Sequence, residues 1–115
     1  MRYFEDLEVG TITRSPRSYE VTREEVIDFA SKYDPQPFHL DDEAAKQTFF
    51  GRLSASGWHT AAMTMRLMVE TFQAGEPQAG LGSPGVDELK WIKPVYPGDT
   101  LRTESELISK RRMKS

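Results

Sequence analysis

Cysteine is absent from this 115-residue chain. That excludes disulfides and a thiol nucleophile, and it fits a cytoplasmic location. Histidine is scarce: His39 and His59 only. They do not share helical i, i+4 ligand spacing, and Asp41 and Asp42, the acids near His39, are accounted for as the cap and first turn of a helix. No metal is therefore expected. No run approaches the roughly 20 apolar residues of a membrane span. The start, Met1-Arg2-Tyr3-Phe4-Glu5-Asp6, has neither a signal-peptide apolar core nor an arginine-rich presequence. Positive charge is not in excess: 15 Lys and Arg stand against 18 Asp and Glu, a net charge of -3. The short basic ending Lys110-Arg111-Arg112-Met113-Lys114 does not change that balance, so no nucleic-acid partner is expected. Gly-x-Ser-x-Gly and Gly-x-x-x-x-Gly-Lys-Ser/Thr are missing, and no Gly-x-Gly-x-x-Gly follows a strand. A serine nucleophile elbow and the usual phosphate cradles are thus excluded, and no cofactor is expected.

What is present fits one domain over residues 1–115. Hydrophobic residues make up 37% and mean hydropathy is -0.59. That is lean for a self-sufficient monomer and points to surface buried in an oligomer. Residues 11–21 read as a strand broken at Ser15-Pro16, with Ile12, Tyr19 and Val21 as its apolar content. Thr22 and Glu25 have capping-box spacing. The helix after them should bury Val26, Phe29, Ala30 and Tyr33, and Asp34-Pro35 should end it. A short helix should start at Asp41 and stop near Gly51. From about Gly57 to Phe72 only Arg66 and Glu70 carry full charge. A helix apolar nearly all round is expected to be wrapped by a sheet. Ala61, Ala62, Met65, Met68, Val69 and Phe72 fall on one side of it, and Trp58, Met63 and Leu67 on others. A Gly/Pro-rich loop over 73–85 follows. Val86 to Val95 reads as a strand, Tyr96-Pro97-Gly98-Asp99 as a turn, and Thr100 to Ile108 as a half-buried strand paired with the first in a hairpin. These are few strands for so long a helix. Either C-terminal strands are missing from the chain, or another chain completes the sheet.

The stretch Tyr33-Asp34-Pro35-Gln36-Pro37-Phe38-His39-Leu40-Asp41 carries the most chemistry. Each proline fixes its own φ and keeps the preceding residue extended, so Asp34 and His39 sit on a stiff loop. A carboxylate and an imidazole held around one water are what proton transfer needs. The competing reading is a proline-punctuated turn with His39 on the surface. Ser54-Ala55-Ser56-Gly57 immediately precedes the apolar helix. Ser54 or Ser56 can cap it, while other N–H groups at the same helix end, Gly57 among them, can receive partial negative charge. Glycine there also permits close approach to the backbone.

Asp34-Pro-Gln-Pro-Phe-His39-Leu-Asp41, followed by Ala44-Ala45, Phe50-Gly51 and Ser56-Gly57, resembles the hydratase motif of the MaoC-like (R)-specific enoyl-CoA hydratases. Leu89-Lys90-Trp91-Ile92-Lys93-Pro94-Val95-Tyr96-Pro97-Gly98-Asp99 is similar to the family's second strand and its Pro-Val-x-x-Gly-Asp turn. The resemblance covers about residues 5–110. It implies an α+β hot-dog fold, a long helix wrapped by an antiparallel sheet, dimerised or assembled into a larger homo-oligomer. It implies reversible hydration of a trans-2-enoyl thioester of CoA or an acyl carrier, in fatty acid metabolism. Asp34 and His39 would activate the water, and the Gly57 N–H would stabilise the enolate-like oxygen. Gln36, Phe38, Ser56 and Trp58 would contact substrate. This chain departs from the family at Gln36, for Asn; at Ser56, for His; and at Met65, for a Ser in the helix. The family also usually continues through two further strands. The alternatives are a hot-dog thioesterase, with water aimed at the carbonyl carbon, and a non-catalytic acyl-binding or assembly domain.

Overall fold

The computed structural model describes residues 8–74 and 86–107. The N-terminal strand is broken where expected. Its pieces are β1, Ile12–Arg14, and β2, Tyr19–Glu20. Both run antiparallel to a later segment that is also in two pieces, β3, Thr100–Leu101, and β4, Glu104–Glu106. Ile12 stands opposite Glu106, Arg14 opposite Glu104 and Tyr19 opposite Leu101. Residues 15–18 of the first strand therefore face only residues 102–103 of the second. Pro16 lies in that bulge, where its missing N–H leaves the ladder intact. Ser15 spans the break: its N–H donates to Thr103 O at 2.9 Å and its Oγ accepts from the Thr103 N–H at 3.1 Å.

Three helices connect these strands: α1, Arg23–Tyr33; α2, Asp42–Ala45; and α3, Gly57–Ala74. Thr22 caps α1 by accepting from the Glu25 N–H. Glu25 does not reach back to complete the box; its carboxylate accepts from the Tyr19 hydroxyl instead. Val26 and Ala30 are buried, but Tyr33, the last residue of α1, is 73% exposed, contrary to the periodicity. Asp41 caps α2, which ends after one turn, short of Gly51; residues 46–50 continue as turns.

The core joins Val21, Val26, Leu53, Ala55 and Met63, with Tyr19, Ile27, Val95 and Leu101 packed against it. On α3 the buried row is His59, Met63 and Leu67, spaced i, i+4, i+8. Met65, Val69 and Phe72, on the side with more apolar residues, are exposed. Residues 100–107 alternate between half-buried and exposed, as read. Ile108 and residues 75–85 of the loop lie outside the described residues. The expected strand over Val86–Val95 is not formed, nor is its hairpin with 100–108. Among the described residues β1 and β2 occupy the partner edge of 100–106. Pro94 lacks an N–H, and of this stretch's carbonyls Val95 O receives the Ala55 N–H at 2.7 Å. The turn at Tyr96–Asp99 is present, with Gly98 at φ 97° and the Asp99 N–H donating to Tyr96 O at 3.0 Å.

Candidate active site

The end of α1 places Asp34. Its N–H closes the helix on Ala30 O at 2.9 Å, and its ψ of 66° turns the chain outward before Pro35. Gln36 is extended ahead of the second proline. Pro37–His39 then forms a single 3₁₀ turn, in which the His39 N–H donates to Gln36 O at 2.9 Å. The loop is extended at Gln36, as the prolines require, but it coils at its end and carries His39 inward. His39 is 5% exposed, which disposes of the surface reading.

The buried strip Leu53–Ser56 forms the opposite wall. It is anchored by the Leu53 N–H, which donates to Asp42 Oδ1 at 2.9 Å. The Ser54 carbonyl meets His39 Nδ1 at 2.8 Å. A carbonyl can only accept, so Nδ1 carries a proton, and in the neutral tautomer this leaves Nε2 as the acceptor. Nε2 faces Asp34 Oδ2 at 3.6 Å. Two acceptors at that separation do not bond each other, but one water can donate to both.

Asp34 has donors of its own: Gln36 Nε2 to Oδ1 and Ser56 Oγ to Oδ2, each 2.7 Å. Burial pushes the Asp34 carboxyl up, yet the bonds from Ser56 and Gln36, with His39 nearby, outweigh it and leave the group below its ordinary value. The pair opens into a pocket of about 460 Å³ that also includes Phe50, Gly57, Trp58 and Trp91. Gly57 begins α3, and its N–H meets no acceptor among the described residues.

The structure thus brings Asp34, Gln36, His39, Gly57 and Trp58 to one pocket. Phe38 and Ser56 stand one layer behind it. Phe38 packs edge-on against His39, centroids 4.5 Å apart, and stacks on Phe50. Ser56 is fully buried and spends its hydroxyl on Asp34. The space a Cβ would fill at Gly57 is taken by the indole of Trp91, 2.6 Å from that position, whose Nε1–H donates to Gly57 O at 2.6 Å. The close approach glycine allows is made by this side chain. Sequence reasoning missed Trp91 as a wall of the site; the only signal was an aromatic in a segment read as a strand. It also missed the cluster behind α3. There Glu25 Oε1 accepts from Tyr19 Oη at 2.5 Å and lies 3.4 Å from His59 Nε2, while Phe29 stacks on the His59 ring.

Residues 6–115 match the MaoC-like domain family. The chain belongs to that family. The MaoC-like dehydratase of Rhodospirillum rubrum is 45% identical in sequence, with a TM-score of 0.84 over 95% of this chain and 72% of its own. The (R)-hydratase of A. caviae involved in PHA biosynthesis is 30% identical, with a TM-score of 0.69 over 93% of this chain and 76% of its own. The 3-hydroxybutyryl-CoA dehydratase of Methylorubrum extorquens is 33% identical over 115 residues, 96% of this chain and 68% of that protein. The fold of this MaoC-like domain is accordingly the hot-dog type: a long helix with antiparallel strands. Among the described residues no helix is long and apolar enough to cross a membrane.

Proposed function

We propose that this MaoC-like domain adds water reversibly to a trans-2-enoyl thioester of CoA or an acyl carrier. The observation that carries the reading is the pairing of two acceptors, Asp34 Oδ2 and His39 Nε2, across 3.6 Å inside a pocket. A water donating to both has its oxygen lone pairs turned toward the pocket. Its oxygen bonds to the β-carbon while the dyad accepts one proton. The electrons of the double bond move toward the thioester carbonyl, whose oxygen would receive the Gly57 N–H. The dyad then delivers the proton to the α-carbon, so one water is added and the protein is unchanged. The relatives named as hydratase and dehydratases support this choice of chemistry. Trp58, Trp91 and Phe50 offer apolar walls to the acyl thioester.

Crotonyl-CoA tests it. Loss of the enoyl-thioester absorbance on adding the protein, abolished by Asp34→Asn, is the expected result. Release of CoA thiol from saturated acyl-CoA, with the enoyl band intact, would mean a thioesterase. Acyl-CoA binding without either reaction would mean a binding domain.

A further inference from the structure

We propose that Gln36 and Ser56 are positioning residues that clamp the Asp34 carboxylate, one on each oxygen, and fix Oδ2 as the oxygen facing His39. This rests on the hydratase reading and adds the device that sets its base. Asp34 is the C-cap of α1, the end where the helix dipole disfavours a carboxylate. Its side chain is 18% exposed, so water can solvate it only in part. Left alone, such a group would rotate about its last torsion or take up a proton.

Both donors are assigned without ambiguity. A carboxylate only accepts, so the Gln36 amide must present Nε2 to Oδ1, at 2.7 Å. Ser56 Oγ donates to Oδ2 at 2.7 Å and accepts from the Trp58 N–H at 3.3 Å, which orients its hydroxyl proton. The clamp joins three parts of the chain: the end of α1, the proline loop and the start of α3. With Oδ1 held by Gln36 and one lone pair of Oδ2 held by Ser56, the remaining lone pair of Oδ2 is left for a water shared with His39. The charged or titratable groups that line the pocket with Asp34 are His39 and Lys93; the lining residues of α3, Gly57, Trp58 and Thr60, carry no charge. Together with His39, the two donors outweigh burial and hold the carboxyl below its ordinary value.

The test is a ¹³C NMR titration of the Asp34 carboxyl, assigned by its loss in Asp34→Asn. It is run beside the pH dependence of kcat/KM for crotonyl-CoA. Gln36 is exposed, so Gln36→Ala will fold; Ser56→Ala and Ser56→Thr complete the set. Loss of either donor should raise the Asp34 midpoint, move the acid limb of the rate profile to higher pH and lower kcat about tenfold with KM changed less. Gln36→Asn and Ser56→Thr should recover part of each effect. An Asp34 midpoint unmoved in Gln36→Ala overturns the clamp, as does an unchanged kcat. If the wild type hydrates no enoyl thioester, the hydratase reading falls, and the NMR titration still decides the clamp.

Discussion

The chemistry of a single residue here is set by what its neighbours can and cannot accept. His39 turns Nε2 toward Asp34 because the Ser54 carbonyl claims its other nitrogen. Asp34→Asn and His39→Ala should each leave the fold intact and cut hydration by about 10²–10⁴-fold. Because the pair acts on one water, the double variant should be little worse than either single one. Steady-state kinetics on the three proteins would refute the pairing if the losses multiplied. Gly57→Ala should push the Trp91 indole outward, since the new methyl would stand 2.6 Å from the ring. The expected sign is a red-shifted tryptophan emission together with weakened substrate binding, and an unshifted spectrum would refute it. At this scale the sequence was readable where covalent stiffness dictates geometry: two prolines pinned Asp34 and His39 to one loop. It was unreadable where a contact spans the chain. Nothing near Gly57 signals that a side chain 34 residues away fills its Cβ position.

Elements are tied together by a few polar contacts at their margins. Glu70, near the end of α3, accepts from Arg17 Nε and Nη2 at 2.6 and 2.8 Å and from Arg66 at 2.6 Å. These bonds hold its carboxyl down to about 2. The more buried tie is His59 to Glu25 to Tyr19, which links α3, α1 and β2. Burial lowers the His59 imidazole below its ordinary value, against the pull of Glu25. Its folded pKa is depressed, so the unfolded chain binds the proton more readily and stability falls as pH drops below about 6.5. Urea midpoints at pH 7 and pH 5.5 should show the loss, and His59→Gln should shrink the difference between them. Leu67→Ala, in the same buried row, should cost roughly 2–5 kcal/mol, measured by the same melts. Helices were legible because caps and period are local: Thr22, Asp41 and Asp34-Pro35 sit at the boundaries they announce. The strand over 86–95 was not, because a strand exists only with a partner. Nor could the period of α3 say which of its apolar rows the core would choose.

The whole molecule leaves much apolar surface in water. Among the described residues Trp58, Ile92 and Phe49, which line the pocket, and Met65, Val69 and Phe72 on α3 are all at least 40% exposed, and burying such surface would favour association. A dimer or larger assembly is expected, with the Asp34/His39 pocket near the boundary. Sedimentation equilibrium at micromolar concentration checks it, and a cooperatively melting monomer would count against it. The family-level fold was legible from two motifs in order; the expectation of an assembly rests on the shortage of cover for α3. The chain has two tryptophans, and both line the pocket, their rings 5.3 Å apart and nearly perpendicular. Its entire indole emission therefore originates at the site, so the unlabelled protein carries its own optical gauge of occupancy, with no background from elsewhere in the chain.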